Sequence, residues 1–183
     1  MRRNVYGLLT LIIFGCVISG CAGLPYVGIG RMFTPATNPE PEKMALVYIY
    51  RRDGAFAKSI VDVPVFKNSP GSADRYPVII LGDKMYRPML FEPGEVTFLV
   101  KGGGDETVLL KAGETRCIEA AFSFRGFTIV GVNEIPLDEC LKEMDGLELA
   151  MTITQLRRLN GGTPLLQPGF KDLDLGSAAV PQH

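Results

Sequence analysis

Met44-Ala-Leu-Val-Tyr-Ile-Tyr-Arg51 opens the patterned part of this chain and decides its class. Its β-branched and aromatic residues at period two read as a strand, because alternate side chains of an extended chain point to opposite faces. Outward from it, the same signature recurs at 60–67, 77–81, 86–91, 96–101, 106–110, 115–122 and 127–132. Pro64 marks the second of these for an edge position or a bulge, since proline cannot donate to a ladder. The connectors carry turn chemistry. Glu92-Pro-Gly-Glu95 and Lys111-Ala-Gly-Glu114 each place glycine where positive φ is cheap, and each opens a strand. Lys101-Gly-Gly-Gly-Asp105 joins two strands as a hairpin. It is not a phosphate loop, because no Gly-Lys-Ser/Thr follows. Many short strands at this spacing predict a mainly β fold, an antiparallel β-sandwich.

After Pro136 the period changes. Leu137, Cys140, Leu141 and Met144 have helical spacing, with Asp138 and Glu139 in the first turn, so the domain carries a C-terminal helical element. Asp145-Gly146 stops it. Residues 147–159 alternate like a strand at first, but Leu-Ala-Met and Gln155-Leu-Arg-Arg-Leu159 also suit a helix, the favoured alternative. Residues 160–183 are Gly/Pro-rich and weakly patterned and read as a disordered tail. The domain is thus expected to span 44–159.

The N-terminal side is different in kind. Arg2 and Arg3 precede an uncharged, mostly apolar run over 5–18. That is shorter than the about 20 residues a spanning helix needs, and it fits the core of a signal peptide occupying 1–20. Ile18-Ser-Gly-Cys21 follows, two small residues directly before a cysteine. This resembles the lipobox of bacterial lipoproteins. The resemblance implies that the signal is cut before Cys21 and that Cys21 carries the acyl chains. Ala22, rather than Asp, then implies sorting to the outer membrane, facing the periplasm. Cys16 lacks small residues before it and leaves with the signal. Residues 21–43 read as a lipidated N-terminus and tether, punctuated by Pro25, Pro35, Pro39 and Pro41. As a polyproline chain the tether would reach ~65 Å, and as a coil ~25 Å. Residues 24–33 are too apolar for a free linker. They lie on the lipid surface or pack on the domain, and packing is the favoured alternative. Gly28-Ile-Gly30 lacks the third glycine and the preceding strand of a dinucleotide fingerprint.

Ala45-Leu-Val-Tyr-Ile-Tyr-Arg51, Phe91-Glu-Pro-Gly-Glu95, Lys111-Ala-Gly-Glu114 and Gly126-Phe-Thr-Ile-Val-Gly131 together resemble the bacterial lipoproteins of domain of unknown function 2846. The resemblance covers roughly 44–145. It implies a prealbumin-like (transthyretin-like) β-sandwich and brings no activity with it.

Composition narrows the chemistry. The chain has 183 residues with 19 Lys+Arg, 20 Asp+Glu and a net charge of −1, without the basic excess of a nucleic-acid footprint. Loss of 1–20 removes two arginines and no acid, leaving 17 basic and 20 acidic residues. The one histidine is His183, so Ser-His-Asp catalysis is not expected. Cys117 and Cys140 have no histidine partner for a metal site. Asp53, Asp62, Asp74, Asp83 and Asp105 fall at turns or strand ends. Asp83 with Glu92 or Glu95 is the one conceivable carboxylate pair. Arg51-Arg52 and Arg157-Arg158 read as solubilising faces, and Phe122, Phe124 and Phe127 as core residues around a Gly126 turn. No catalytic residue, cofactor or metal ligand is assigned.

Two thiols then remain in an oxidising compartment. An even pair reads first as a disulfide, Cys117 to Cys140, and otherwise as two separately buried thiols. The closed loop of about 24 residues would be worth roughly 3 kcal/mol in the chain-entropy model. The expected function is that of a non-catalytic envelope lipoprotein on the periplasmic face of the outer membrane. It would contact the membrane through its lipid, and another envelope protein or polymer through its domain. The alternative is a ligand- or glycan-binding periplasmic lipoprotein.

Overall fold

A computed structural model of the chain describes residues 28–52, 63–68, 75–100, 103–123, 128–152, 155, 169–173 and 175. The signal segment 1–20, Cys21, Arg157, Arg158, Phe124, Phe127 and His183 lie outside the described residues. The protein is mainly β. In chain order the strands are β1 (Gly28–Met32), β2 (Ala45–Arg51), β3 (Val63–Asn68), β4 (Arg75–Leu81), β5 (Met85–Phe91), β6 (Gly94–Val100), β7 (Asp105–Leu110), β8 (Thr115–Ser123) and β9 (Thr128–Ile135). Helix α1 (Leu137–Glu143) follows, and then two three-residue strands, β10 (Glu148–Ala150) and β11 (Phe170–Asp172).

They form two sheets. The larger runs β1-β10-β5-β2-β8-β9, with β11 also paired to β5, and the smaller runs β4-β3-β6-β7. The smaller sheet is antiparallel throughout. The larger is mixed, which corrects the all-antiparallel expectation: β2 pairs β8 in parallel from Leu46↔Thr115 to Tyr50↔Glu119, and β10 pairs β5 in parallel. Turn chemistry marks where strands end, but not which strands pair: the turns at 92–93 and 111–114 each join strands of different sheets, β5 to β6 and β7 to β8.

β2 is buried at every position. Ala45, Val47 and Ile49 face a core shared with the smaller sheet, where they meet Met89 and Phe91 of β5, Val78 and Ile79 of β4, Phe98 of β6 and Val108 of β7. Leu46, Tyr48 and Tyr50 point to the other face. There a second core holds Tyr86 and Leu90 of β5, Cys117 of β8, Cys140 and Met144 of the helix region, and Leu147, Leu149 and Leu173. Ile29, Phe33, Ala36 and Leu175 pack onto it.

Three expectations change here. The supposed tether contributes β1, which pairs β10, and Phe33, whose ring meets the Tyr48 and Tyr86 rings edge-on at 6.1 and 5.1 Å. The apolar reading of 24–33 as packed is right for the described part, 28–33. Residues 148–150 are a strand rather than a helix, since Leu149 and Ala150 face opposite cores. The tail reading fails at β11, which lies against β5 from Phe170↔Phe91 to Asp172↔Met89. Phe170 stacks on Phe91 there, with centroids 5.4 Å apart.

The prolines sit where ladders have gaps. β3 is interior to its sheet, not an edge. Pro64 pairs Ile80, but the ladder to β6 begins only at Val65, and a register shift follows between Val65 and Phe66. Pro88 of β5 faces Tyr48 of β2. On the other side of β5, β10 reaches Tyr86 and β11 begins at Met89, so the pairing on that side has a gap at Arg87 and Pro88. Arg87 fills that break. Its guanidinium is buried and donates to the carbonyls of Ala150 (3.0 Å) and Leu173 (3.5 Å).

Gly131 of β9 has φ +115°, and a Cβ there would lie 2.6–2.8 Å from the backbone of Gly104 in the β6–β7 hairpin. Backbone cannot yield as a side-chain end can. Gly131→Ala should therefore cost about 2–4 kcal/mol from strain and overpacking together. Gly30→Ala, with φ +70° and nothing within 4 Å, should cost only about 1–2 kcal/mol. Denaturant midpoints of the two variants check the ranking, and equal losses would contradict it. A chain trimmed to 44–159 lacks β1, Phe33, β11 and Leu173. It should bind hydrophobic dye and lose a cooperative melt that 28–175 retains; equal melts would show the flanking segments to be dispensable.

Candidate functional site

The outer face of the larger sheet carries the most elaborate polar chemistry among the described residues. Tyr48 and Tyr50 lie two apart on β2 and so share a face, and Tyr86 stands opposite Tyr50 on β5. All three rings are buried, and each hydroxyl holds a segment lying over the sheet. The Tyr48 hydroxyl accepts from the Ala36 N–H at 2.7 Å and donates back to the Ala36 carbonyl at 3.3 Å. The Tyr86 hydroxyl accepts from the Thr34 N–H at 3.4 Å and donates to the Met32 carbonyl at 3.3 Å. The Tyr50 hydroxyl donates to Glu143 Oε2 at 2.6 Å.

Glu143 ends α1, and a second device holds that helix. Cys117 of β8 and Cys140 of α1 form a disulfide, with Cα atoms 6.3 Å apart. Register explains the pairing. Cys117 faces Tyr48 and Glu119 faces Tyr50 across the β2–β8 ladder, so both point to the outer face beneath α1. Arg52 then bridges two carboxylates, Glu119 through Nε at 2.5 Å and Glu143 through Nη1 at 2.5 Å. Arg52 is half-exposed while Glu119 is buried. The result is a chain of hydrogen bonds from Tyr50 through Glu143 and Arg52 to Glu119.

Burial pushes the Tyr50 phenol far above its ordinary range, and the Glu143 and Glu119 carboxylates push it further. Burial also raises Tyr48 and Tyr86. These hydroxyls therefore stay protonated and act as fixed donors. Such carboxylates, held by a guanidinium and a phenol, serve as acceptors and clamps.

A shallow groove of about 530 Å³ lies beside this clamp, lined by Glu114, Thr115 and Arg116 at the start of β8 and by Glu134, Ile135, Pro136 and Leu137 at the β9–α1 junction. Arg116 stands between Glu114 (3.0 Å) and Glu134 (2.8 Å). Its hydrogen bond to Glu114 raises the guanidinium and holds the Glu114 carboxyl below its usual range. Among the described residues, no group of three or more His, Cys, Asp or Glu side chains is placed to hold a metal ion.

The residues singled out in the sequence distribute as follows. Cys117 and Cys140 meet. Asp83 lies in the β4–β5 turn, whereas Glu92 and Glu95 lie near the β5–β6 turn. The seven-residue β5 separates them by roughly 20 Å, too far for a carboxylate pair. Arg51 is buried and donates to the Leu81 carbonyl at 3.4 Å, so it is no part of a solvated face, whereas Arg52 is half-exposed and ion-paired. Asp105 begins β7 and is exposed. Asp53, Asp62 and Asp74 lie outside the described residues. The three tyrosines, Glu119 and Glu143 carry no sequence motif. The one available signal is that Tyr48 and Tyr50 share a parity on a strand whose other parity, Ala45, Val47 and Ile49, is apolar until Arg51. No family model, no curated protein and no solved structure matches the chain.

The tyrosine clamp makes a pH prediction. A raised phenol pKa means that the folded chain keeps a proton the unfolded chain releases near pH 10. The associated stability is present below that pH and is lost as pH rises above it. Tyr50→Phe should reduce the alkaline slope of unfolding free energy by up to about 1.4 kcal/mol per pH unit. It should also cost about 1.5–3 kcal/mol at pH 7 through the lost bond to a carboxylate. Denaturant titrations between about pH 9 and 11 check this, and an unchanged slope would contradict it.

Proposed function

We propose that this chain is a lipid-anchored, non-catalytic lipoprotein of the bacterial envelope, facing the periplasm from the outer membrane and acting as a structural or interaction module. The observation that carries the reading is the segment Ile18-Ser-Gly-Cys21, set behind an apolar run and a pair of arginines. The Cys117–Cys140 bridge suits an oxidising compartment. Two sheets sharing one apolar core support a β-sandwich of the prealbumin-like kind. The Tyr50–Glu143–Arg52–Glu119 chain and the Arg116 groove are read as clamps, since their polar atoms are turned on one another. Lipidation confines the module to the membrane plane and raises its local concentration against envelope partners, whether a protein or a polymer.

One myristoyl-length chain gives marginal binding, and each buried CH₂ adds roughly 0.8 kcal/mol, so several chains make release negligible. Cys21→Ser should leave the precursor with its signal attached, while the natural chain partitions into detergent. A natural chain found soluble in the periplasm would overturn the reading.

A further inference from the structure

We propose that the β1 edge of the larger sheet is the surface that meets the bilayer. This rests on anchoring at Cys21, and it adds to that reading the face the domain presents. The sequence alone suggests a tether running to residue 43, long enough to let the domain turn freely. The sheet shortens it. Gly28 pairs Ala150, and Phe33 donates its N–H to the Leu147 carbonyl at 2.8 Å, so the chain is fixed to the sheet at Gly28. Six residues, 22–27, separate Gly28 from Cys21. Even fully extended, that leash spans at most about 25 Å.

The leash leads to one edge. Among the described residues, β1 is the terminal strand of the order β1-β10-β5-β2-β8-β9. Five strand spacings set β9 at the far side, about 24 Å away. β7 of the smaller sheet packs beside β9, whereas β10, next to β1, packs beside β4. The two sheets therefore share a leash side and a far side.

The chemistry of the leash side fits a lipid surface. Residues 22–27, Ala-Gly-Leu-Pro-Tyr-Val, carry no charge, and Leu24, Tyr26 and Val27 suit the headgroup boundary. Met32 on β1 is 56 % exposed. The other exposed large apolar residues among those described, Leu109 on β7 and Leu137 on α1, lie toward the far side. Docking the β1 edge on the bilayer would cover Met32 and shield a terminal ladder from pairing with another chain.

The test uses the full lipidated protein in liposomes containing acceptor-labelled lipid. Cys16 leaves with the signal, Cys21 is acylated and Cys117 is bonded to Cys140, so one introduced thiol takes the donor dye alone. Met32→Cys and Leu109→Cys both place it at exposed positions. Transfer from position 32 should exceed transfer from 109 by about twofold, given the ~24 Å offset. A twenty-residue Gly/Ser insert after Ala22 should lower the transfer from 32 toward that from 109. Equal transfer at the two sites of the acylated protein, or no change on insertion, would overturn the proposal. The mass of the N-terminal peptide reports acylation separately. A peptide without acyl mass would overturn the anchoring reading, and the edge proposal with it.

Discussion

A strand buried on both faces sets the terms for everything else in this molecule. β2 presents Ala45, Val47 and Ile49 to one core and Leu46, Tyr48 and Tyr50 to another. The smaller sheet covers the first set. The second needs cover of its own, because burying a Val, Leu, Ile or Phe side chain is worth about 1.5–3 kcal/mol that an open face forfeits. No second sheet supplies it. The cover is assembled from parts far apart in the chain: residues 29–36, α1, and the segment around Leu173 and Leu175.

Each part is tied down by a different bond type, and each tie ends on the sheet beneath. The N-terminal segment is held by the tyrosine hydroxyls and by edge-on contact of Phe33 with two rings, each such contact worth about 0.5–1.5 kcal/mol beyond area burial. The helix is too short to persist alone, and is held by the disulfide at Cys140 and by Glu143. The C-terminal strand is held by pairing to β5, by Phe170 on Phe91, and by the Arg87 guanidinium at Leu173. Lys171 also forms an ion pair with Glu40, joining the two flanking segments directly. The rest of the polar chemistry follows from the same requirement. Buried tyrosines need partners for their hydroxyls, and backbone, carboxylates and one arginine provide them.

Much of the sheet content is legible in the sequence, and its limits have physical causes. Strands with period-two patterning and glycine turns stand out, as at β5, β6, β7 and β8. So does the helix after Pro136, from the spacing of Leu137, Cys140 and Leu141. The parallel joining of β2 to β8 is not legible, since pairing between distant strands leaves no local mark. β10 and β11 have three residues each, too few to show a period. β1 hides behind Gly28 and Gly30, which weaken its strand signature, although its apolar residues betray that it packs. The disulfide is legible from an even count of thiols and the oxidising compartment that the lipobox resemblance implies. The tyrosine clamp is not, because tyrosine on a strand is ordinarily explained by packing alone.

The same cover connects the fold to the proposed anchoring. With the N-terminal segment part of the second core, a lipid at Cys21, as proposed, would hold the sheet on a short leash; with that segment free, the domain would hang on a long one. Amide hydrogen exchange over residues 29–36, followed in the intact protein, reads this directly. The amides of Phe33 and Ala36, bonded to the Leu147 carbonyl and the Tyr48 hydroxyl, should be protected to a degree comparable with β2 and β5. Exchange at the rate of an unstructured chain would contradict the account.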